Sequence, residues 1–264
     1  MDHVLYDRLE HLYRTFDLTL LSPDPLEIVR RFSSPGDQEV AGFIASALAY
    51  GRAEKIVETV DRVFRMMEDA PHDFVLHFDP KTDGGRFRSF VYRFSRGSDL
   101  IVLIGLLQRA LAVYGSLQRL FLEGDRPEHP HIGPALVRFV DALTDGGSIP
   151  DLREAGSGAR FFLPSPRSGS ACKRLNLFLR WMVRTDGIDL GLWDKVSPAR
   201  LIVPLDTHVA RIARLTGLSD RRQTDWEMAE EVTQTLRIFD PCDPVKYDLS
   251  LCHWGMRQAR GLDY

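Results

Sequence analysis

The sequence predicts an all-α fold, and three observations carry that expectation. Apolar residues recur at helical spacing through most of the chain, long alternating β-branched runs are missing, and clusters of Gly, Pro and charged residues fall between the periodic segments. With 264 residues, 44% hydrophobic and 27% charged, the chain has the composition of an ordinary globular protein with a substantial core.

The expected helices follow in order. The first covers 4–17; it mixes charge with apolar residues at helical spacing and lacks the apolar h-region of a signal peptide, so a cytoplasmic protein is expected. Helices are expected next over 25–32, 37–49, 53–69, 99–122 and 134–143. Between the third and fourth lies AYGR, residues 49–52, in which Gly51 reads as a helix C-cap and Tyr50 and Arg52 as a cleft rim. The last four helices are expected over 170–184, 207–218, 225–239 and 244–258. No run of eighteen apolar residues occurs, so no membrane partner is expected. The turn-rich LEGDRPEHPH, 122–131, is the best linker and suggests lobes over 1–122 and 132–264, and the loop 146–169 is next.

Net charge is −3, but its distribution is uneven. Residues 153–222 hold 13 Lys and Arg against 6 Asp and Glu, while the remainder holds 21 against 31. A basic segment on an acidic body is either a phosphate-binding face or a solvated one. The three cysteines, Cys172, Cys242 and Cys252, are widely spaced and build neither a disulfide framework nor a four-thiolate metal site, and His129 and His131 supply two metal ligands at most. No metal and no cofactor are expected.

Two residues stand out chemically. Asp206, in PLDTHVARIARLTGL, sits where an apolar run turns into a helix, which is the position of an N-cap facing the positive end of the helix dipole. A carboxylate fixed there can also stabilise a developing cation. Lys173 falls in the first turn of the helix KRLNLFLRWMVR, off the apolar stripe of Leu175, Phe178, Leu179 and Met182 and in line with Arg180 and Arg184. An ammonium is disfavoured at that end of a helix, and a neutral amine is a nucleophile. The plainer readings are an exposed helical lysine and a simple cap.

The order of turn-rich hairpin, helix bearing Lys173, loop, and PLDTH opening another helix resembles the helix–hairpin–helix superfamily of base-excision DNA glycosylases. The spacing between Lys173 and Asp206 is closest to the archaeal 8-oxoguanine DNA glycosylase branch, and within the superfamily the AYGR and KRLNLFLRWMVR runs also resemble an uncharacterised bacterial family. The resemblance implies a single glycosylase-like unit over 1–264, two helical lobes with a central cleft, and the helix–hairpin–helix and catalytic segment at 161–218. It implies a monomer acting on DNA, a glycosylase with associated β-lyase activity on an oxidised purine such as 8-oxoguanine, with Lys173 forming a Schiff base and Asp206 assisting. Arg167, Gly169, Arg174, His208 and Arg211 would contact DNA, and Tyr50, Leu177 and Trp254 would line the base pocket. LPSPRSGSAC stands where the superfamily has L-P-G-V-G, and this departure favours the alternative of a non-catalytic helical module that binds nucleic acid or protein.

Overall fold

The computed structural model describes residues 3–16, 19, 21–144 and 157–259. The end of the first expected helix, Arg153 at the start of the basic segment, and 146–156 of the loop 146–169 lie outside these residues. The chain is mostly helical, with one small antiparallel strand pair among the described residues. It divides into a terminal unit (1–22, 130–132 and 166–264) and a middle unit (23–129 and 133–165).

The chain opens with α1 (His3–Thr15) in the terminal unit and then builds the middle unit. That unit holds α2 (Leu26–Val29), α3 (Pro35–Ala47), α4 (Ala53–Met66), α5 (Pro71–His77), β1 (Val91–Tyr92), β2 (Ser95–Arg96), α6 (Gly97–Tyr114), α7 (Leu117–Leu122), α8 (Gly133–Thr144) and α9 (Ser157–Phe162). The terminal unit is completed by α10 (Lys173–Val183), α11 (Thr207–Leu215), α12 (Trp226–Phe239) and α13 (Asp248–Ala259).

The lobe boundaries expected at 122 and 132 need correction. The first 22 residues belong with the C-terminal helices, and 133–165 belongs with the middle of the chain. The amphipathic face of α1 explains the first difference. Leu5 and Leu9 are buried, the Tyr247 hydroxyl donates to Glu10 (2.6 Å), Lys246 pairs with Glu10 (2.6 Å), and the Arg8 guanidinium lies 3.8 Å from the Trp254 ring centroid. Phe139 of α8 explains the second, packing on Phe43 (6.0 Å between centroids) and on Phe121 (5.9 Å) inside the middle unit.

In the middle unit, Ser34 caps α3 by accepting from the Asp37 N–H (3.0 Å), with Pro35 in the first turn where its missing N–H costs nothing. The buried Glu39 of α3 accepts from the Leu117 and Gln118 N–H groups (2.9 and 3.0 Å), which anchors the start of α7. The single helix expected over 99–122 is two, because Gly115 takes a left-handed conformation (φ 77°) and Ser116 caps α7. By length and composition α6 could cross a membrane, although most of it is buried in this unit. Gly51 does not cap the preceding helix: α3 stops at Ala47 with Leu48 as its C-cap, and Gly51 bends the irregular connection 49–52. α5, α9 and the hairpin of β1 and β2 went unforeseen.

In the terminal unit, the apolar run 201–203 is buried and extended without joining a sheet; the Val203 N–H donates to Thr233 Oγ1 instead (3.0 Å). The helix expected over 244–258 is a short 3₁₀ turn, Pro244–Tyr247, followed by α13.

Candidate active site

The segment leading to Lys173 is a compact turn. Pro166–Ser168 form one 3₁₀ turn, Gly169 is left-handed (φ 75°), and Ser170 bridges to Asp225 ahead of α12. Cys172 is also left-handed (φ 49°), which turns the chain sharply into α10 and places Lys173 at its first residue. Cys172 is buried, and burial pushes its thiol up to about 12, so it is a packing residue and not a nucleophile. Lys173 is half-buried, whereas Arg174 through Val183 are all buried.

The face expected to align Lys173 with Arg180 and Arg184 is therefore an interior one. Arg180 donates through Nε and Nη2 to Asp189 (3.2 and 3.1 Å) and through Nη1 to Asp248, while Arg184 pairs with Asp186 (2.8 Å), Asp189 and Asp243 (3.0 Å). Two of the cations counted in the basic segment are thus committed to internal carboxylates. Their charge is not offered to a phosphate.

At the other end of the candidate site, Asp206 is the N-cap of α11. Its Oδ1 accepts from the His208 and Val209 N–H groups (2.8 and 2.9 Å). α13 lies against the opening of α11, so close at Gly255 that a Cβ there would come within 2.8 Å of the His208 carbonyl oxygen. At the start of α13, burial and the charge of Asp206 push the Asp248 carboxyl up, to about 6, against the opposing pull of Arg180 and Lys173. Lys173 and Asp206 thus both act electrostatically on one buried carboxyl. Sequence reasoning missed Asp248, because KYDLSL carries no motif and the residue gains its neighbours only when α10 and α13 pack.

The remaining site candidates scatter. Arg167, Gly169 and Arg211 are exposed and His208 is half-buried. The Gly169 N–H is donated to the Pro166 carbonyl (2.9 Å) and its own carbonyl accepts from Trp226 (3.1 Å), which leaves that hairpin no free amide at Gly169 for an anion. Arg174 is 8% exposed, too enclosed to serve as a surface phosphate contact. Leu177 and Trp254 are buried in the terminal unit, with the Trp254 ring covered by Arg8 in place of an open stacking face. Tyr50 belongs to the middle unit, among other aromatic rings. No group of three or more His, Cys, Asp and Glu side chains among the described residues is arranged to hold a metal ion.

The profile of one protein family, described as protein of unknown function (DUF2400), matches residues 24–257. The chain belongs to that family. The match takes in the middle unit from residue 24 and the terminal unit without 1–22 and 258–264; AYGR and the Lys173 and Asp206 segments fall within it, so the candidate site lies within what defines this DUF2400 chain. Comparisons with curated proteins and with solved structures find no match.

Proposed function

We propose that the chain is a DNA base-excision glycosylase with associated β-lyase activity, acting on an oxidised purine such as 8-oxoguanine. The observation that supports the reading is the placement of an amine at the first residue of α10 and of a carboxylate at the N-cap of α11, both within electrostatic reach of the buried Asp248. The chemistry needs that pairing. Breaking an N-glycosidic bond develops positive charge on the sugar, and the base must first leave the duplex stack. The Lys173 amine attacks the anomeric carbon as the bonding pair departs with the base. Asp206 stabilises the cationic sugar and takes up the amine proton. Ring opening then leaves a Schiff base between Lys173 and the sugar, from which β-elimination expels the 3′ phosphate.

Borohydride trapping tests this directly on a panel of lesion-containing oligonucleotides. Reduction converts the imine into a stable amine and joins protein to DNA; Lys173→Gln abolishes the adduct. Equal trapping by the wild type and Lys173→Gln excludes Lys173 as the nucleophile.

A second reading, a non-catalytic module that binds nucleic acid or protein, is favoured by the Gly169 hairpin, whose amide is bonded within the turn. Failure of the wild type to trap or to release a base from every lesion selects it.

A further inference from the structure

The AYGR turn of the middle unit is built into an exposed aromatic cluster. The Tyr50 hydroxyl donates to Ser95 Oγ (2.7 Å) and the Tyr92 hydroxyl donates to the Tyr50 carbonyl, so Tyr50 is locked to the hairpin of β1 and β2. Phe94, at the hairpin tip, stacks on Tyr50 at 5.2 Å and 17°. Phe161 of α9 meets both rings edge-on, at 5.0 Å and 4.5 Å. The cluster faces water: Phe94 is 53% exposed and Phe161 is 36% exposed. Three exposed arginines come from the same turns, Arg52 after Gly51 and Arg93 and Arg96 on the hairpin. Arg93 adopts a left-handed conformation (φ 53°), and its Nη1 would be 3.2 Å from a Cβ at Gly51. None of the three guanidiniums pairs with a carboxylate among the described residues; Arg96 donates to Asp99 through its backbone N–H (2.7 Å).

We propose that Tyr50, Phe94 and Phe161, with Arg52, Arg93 and Arg96 beside them, form a stacking platform for an unpaired base of a nucleic acid strand. An apolar partner alone would leave no use for three guanidiniums without carboxylates. A nucleic acid uses both halves: each base has a flat face for Phe94, and its phosphates take the arginines. The orientation is fixed before binding by the two tyrosine hydrogen bonds, so little ordering entropy opposes it. The inference rests on the DNA-acting reading and adds to it a site on the middle unit that does no chemistry.

The test measures binding of the full chain to a short fluorescent single strand and to a matched strand of abasic sugar–phosphate. Phe94→Ala should weaken binding to the base-bearing strand by roughly 5- to 150-fold, the range for losing one base stack. It should leave the abasic strand unaffected, and Phe94→Trp should restore the affinity. Unchanged affinity of Phe94→Ala for the base-bearing strand overturns the platform and points to a protein partner, while borohydride trapping by Lys173 would still stand. Equal losses on both strands also overturn it, since stacking requires a base. Failure of the wild type to bind either strand overturns the platform, while the glycosylase reading is decided separately by trapping and base release on the lesion panel.

Discussion

The Arg180 guanidinium donates to the Asp248 carboxylate with both side chains buried, Arg180 at 1% and Asp248 at 4% exposure. This pair ties the last turn of α10 to the first residue of α13. The network around it, Arg180 and Arg184 with Asp186, Asp189, Asp243 and Asp248, holds more carboxylates than guanidiniums. Burial is the main cause of the upward push on Asp248, with the charge of Asp206 adding to it against the pull of Arg180.

Asp248 therefore gives a pH signature. Its carboxyl titrates at about 6, raised from 3.8, so the folded state holds its proton more tightly than the unfolded chain does. The stability this contributes is fully present below pH about 4 and is lost as pH rises through about 6, by about 3 kcal/mol for two pKa units. Asp248→Asn lacks this dependence. Denaturant unfolding at pH 4 and pH 7 should show the wild type losing that amount relative to Asp248→Asn between the two; parallel curves would place Asp248 at an ordinary carboxylate value.

Asp206 separates capping from catalysis. Asp206→Asn keeps an oxygen for the His208 and Val209 N–H groups, so its melting temperature should match the wild type, while base release falls sharply. Asp206→Ala loses the cap as well and should cost about 1 kcal/mol of stability. Full base release by Asp206→Asn would reduce Asp206 to a cap.

Charge reversal should distinguish surface arginines from buried ones. Arg167→Glu and Arg211→Glu lie on exposed positions and should weaken DNA binding about equally for all sequences, with a shallower salt dependence. Arg174→Glu should lower the melting temperature by several degrees, because a carboxylate enters a site only 8% exposed. Circular dichroism melting and fluorescence anisotropy of the three variants give both readouts.

Gly255→Ala tests the contact of α13 with α11. The new Cβ would meet the His208 carbonyl oxygen at 2.8 Å, backbone that moves only with the start of α11. A loss of about 1–3 kcal/mol in urea unfolding is expected, with base release reduced more than the stability loss explains, since Asp206 caps that helix. Wild-type stability would mean the two helices separate freely.

The all-α class and most helix positions were legible in the sequence, because helical periodicity and capping chemistry are local. α11 begins one residue after Asp206 as its capping carboxylate requires, and Lys173 opens its helix. Boundaries failed where a single residue's conformation decided them: Gly115 splits one apolar stretch into two helices, and the hairpin at 91–96 is too short to show an alternation. Which face of a helix meets water was settled only by tertiary packing. Arg180 and Arg184 look like a basic stripe in the sequence, but the carboxylates that enclose them come from the loop just after α10, at 186 and 189, and from 243 and 248, and no local pattern records the last two. Asp248 became visible for the same reason. Helical periodicity and caps act within a few residues and can be read along the chain, whereas burial of a charge depends on segments that meet only after folding.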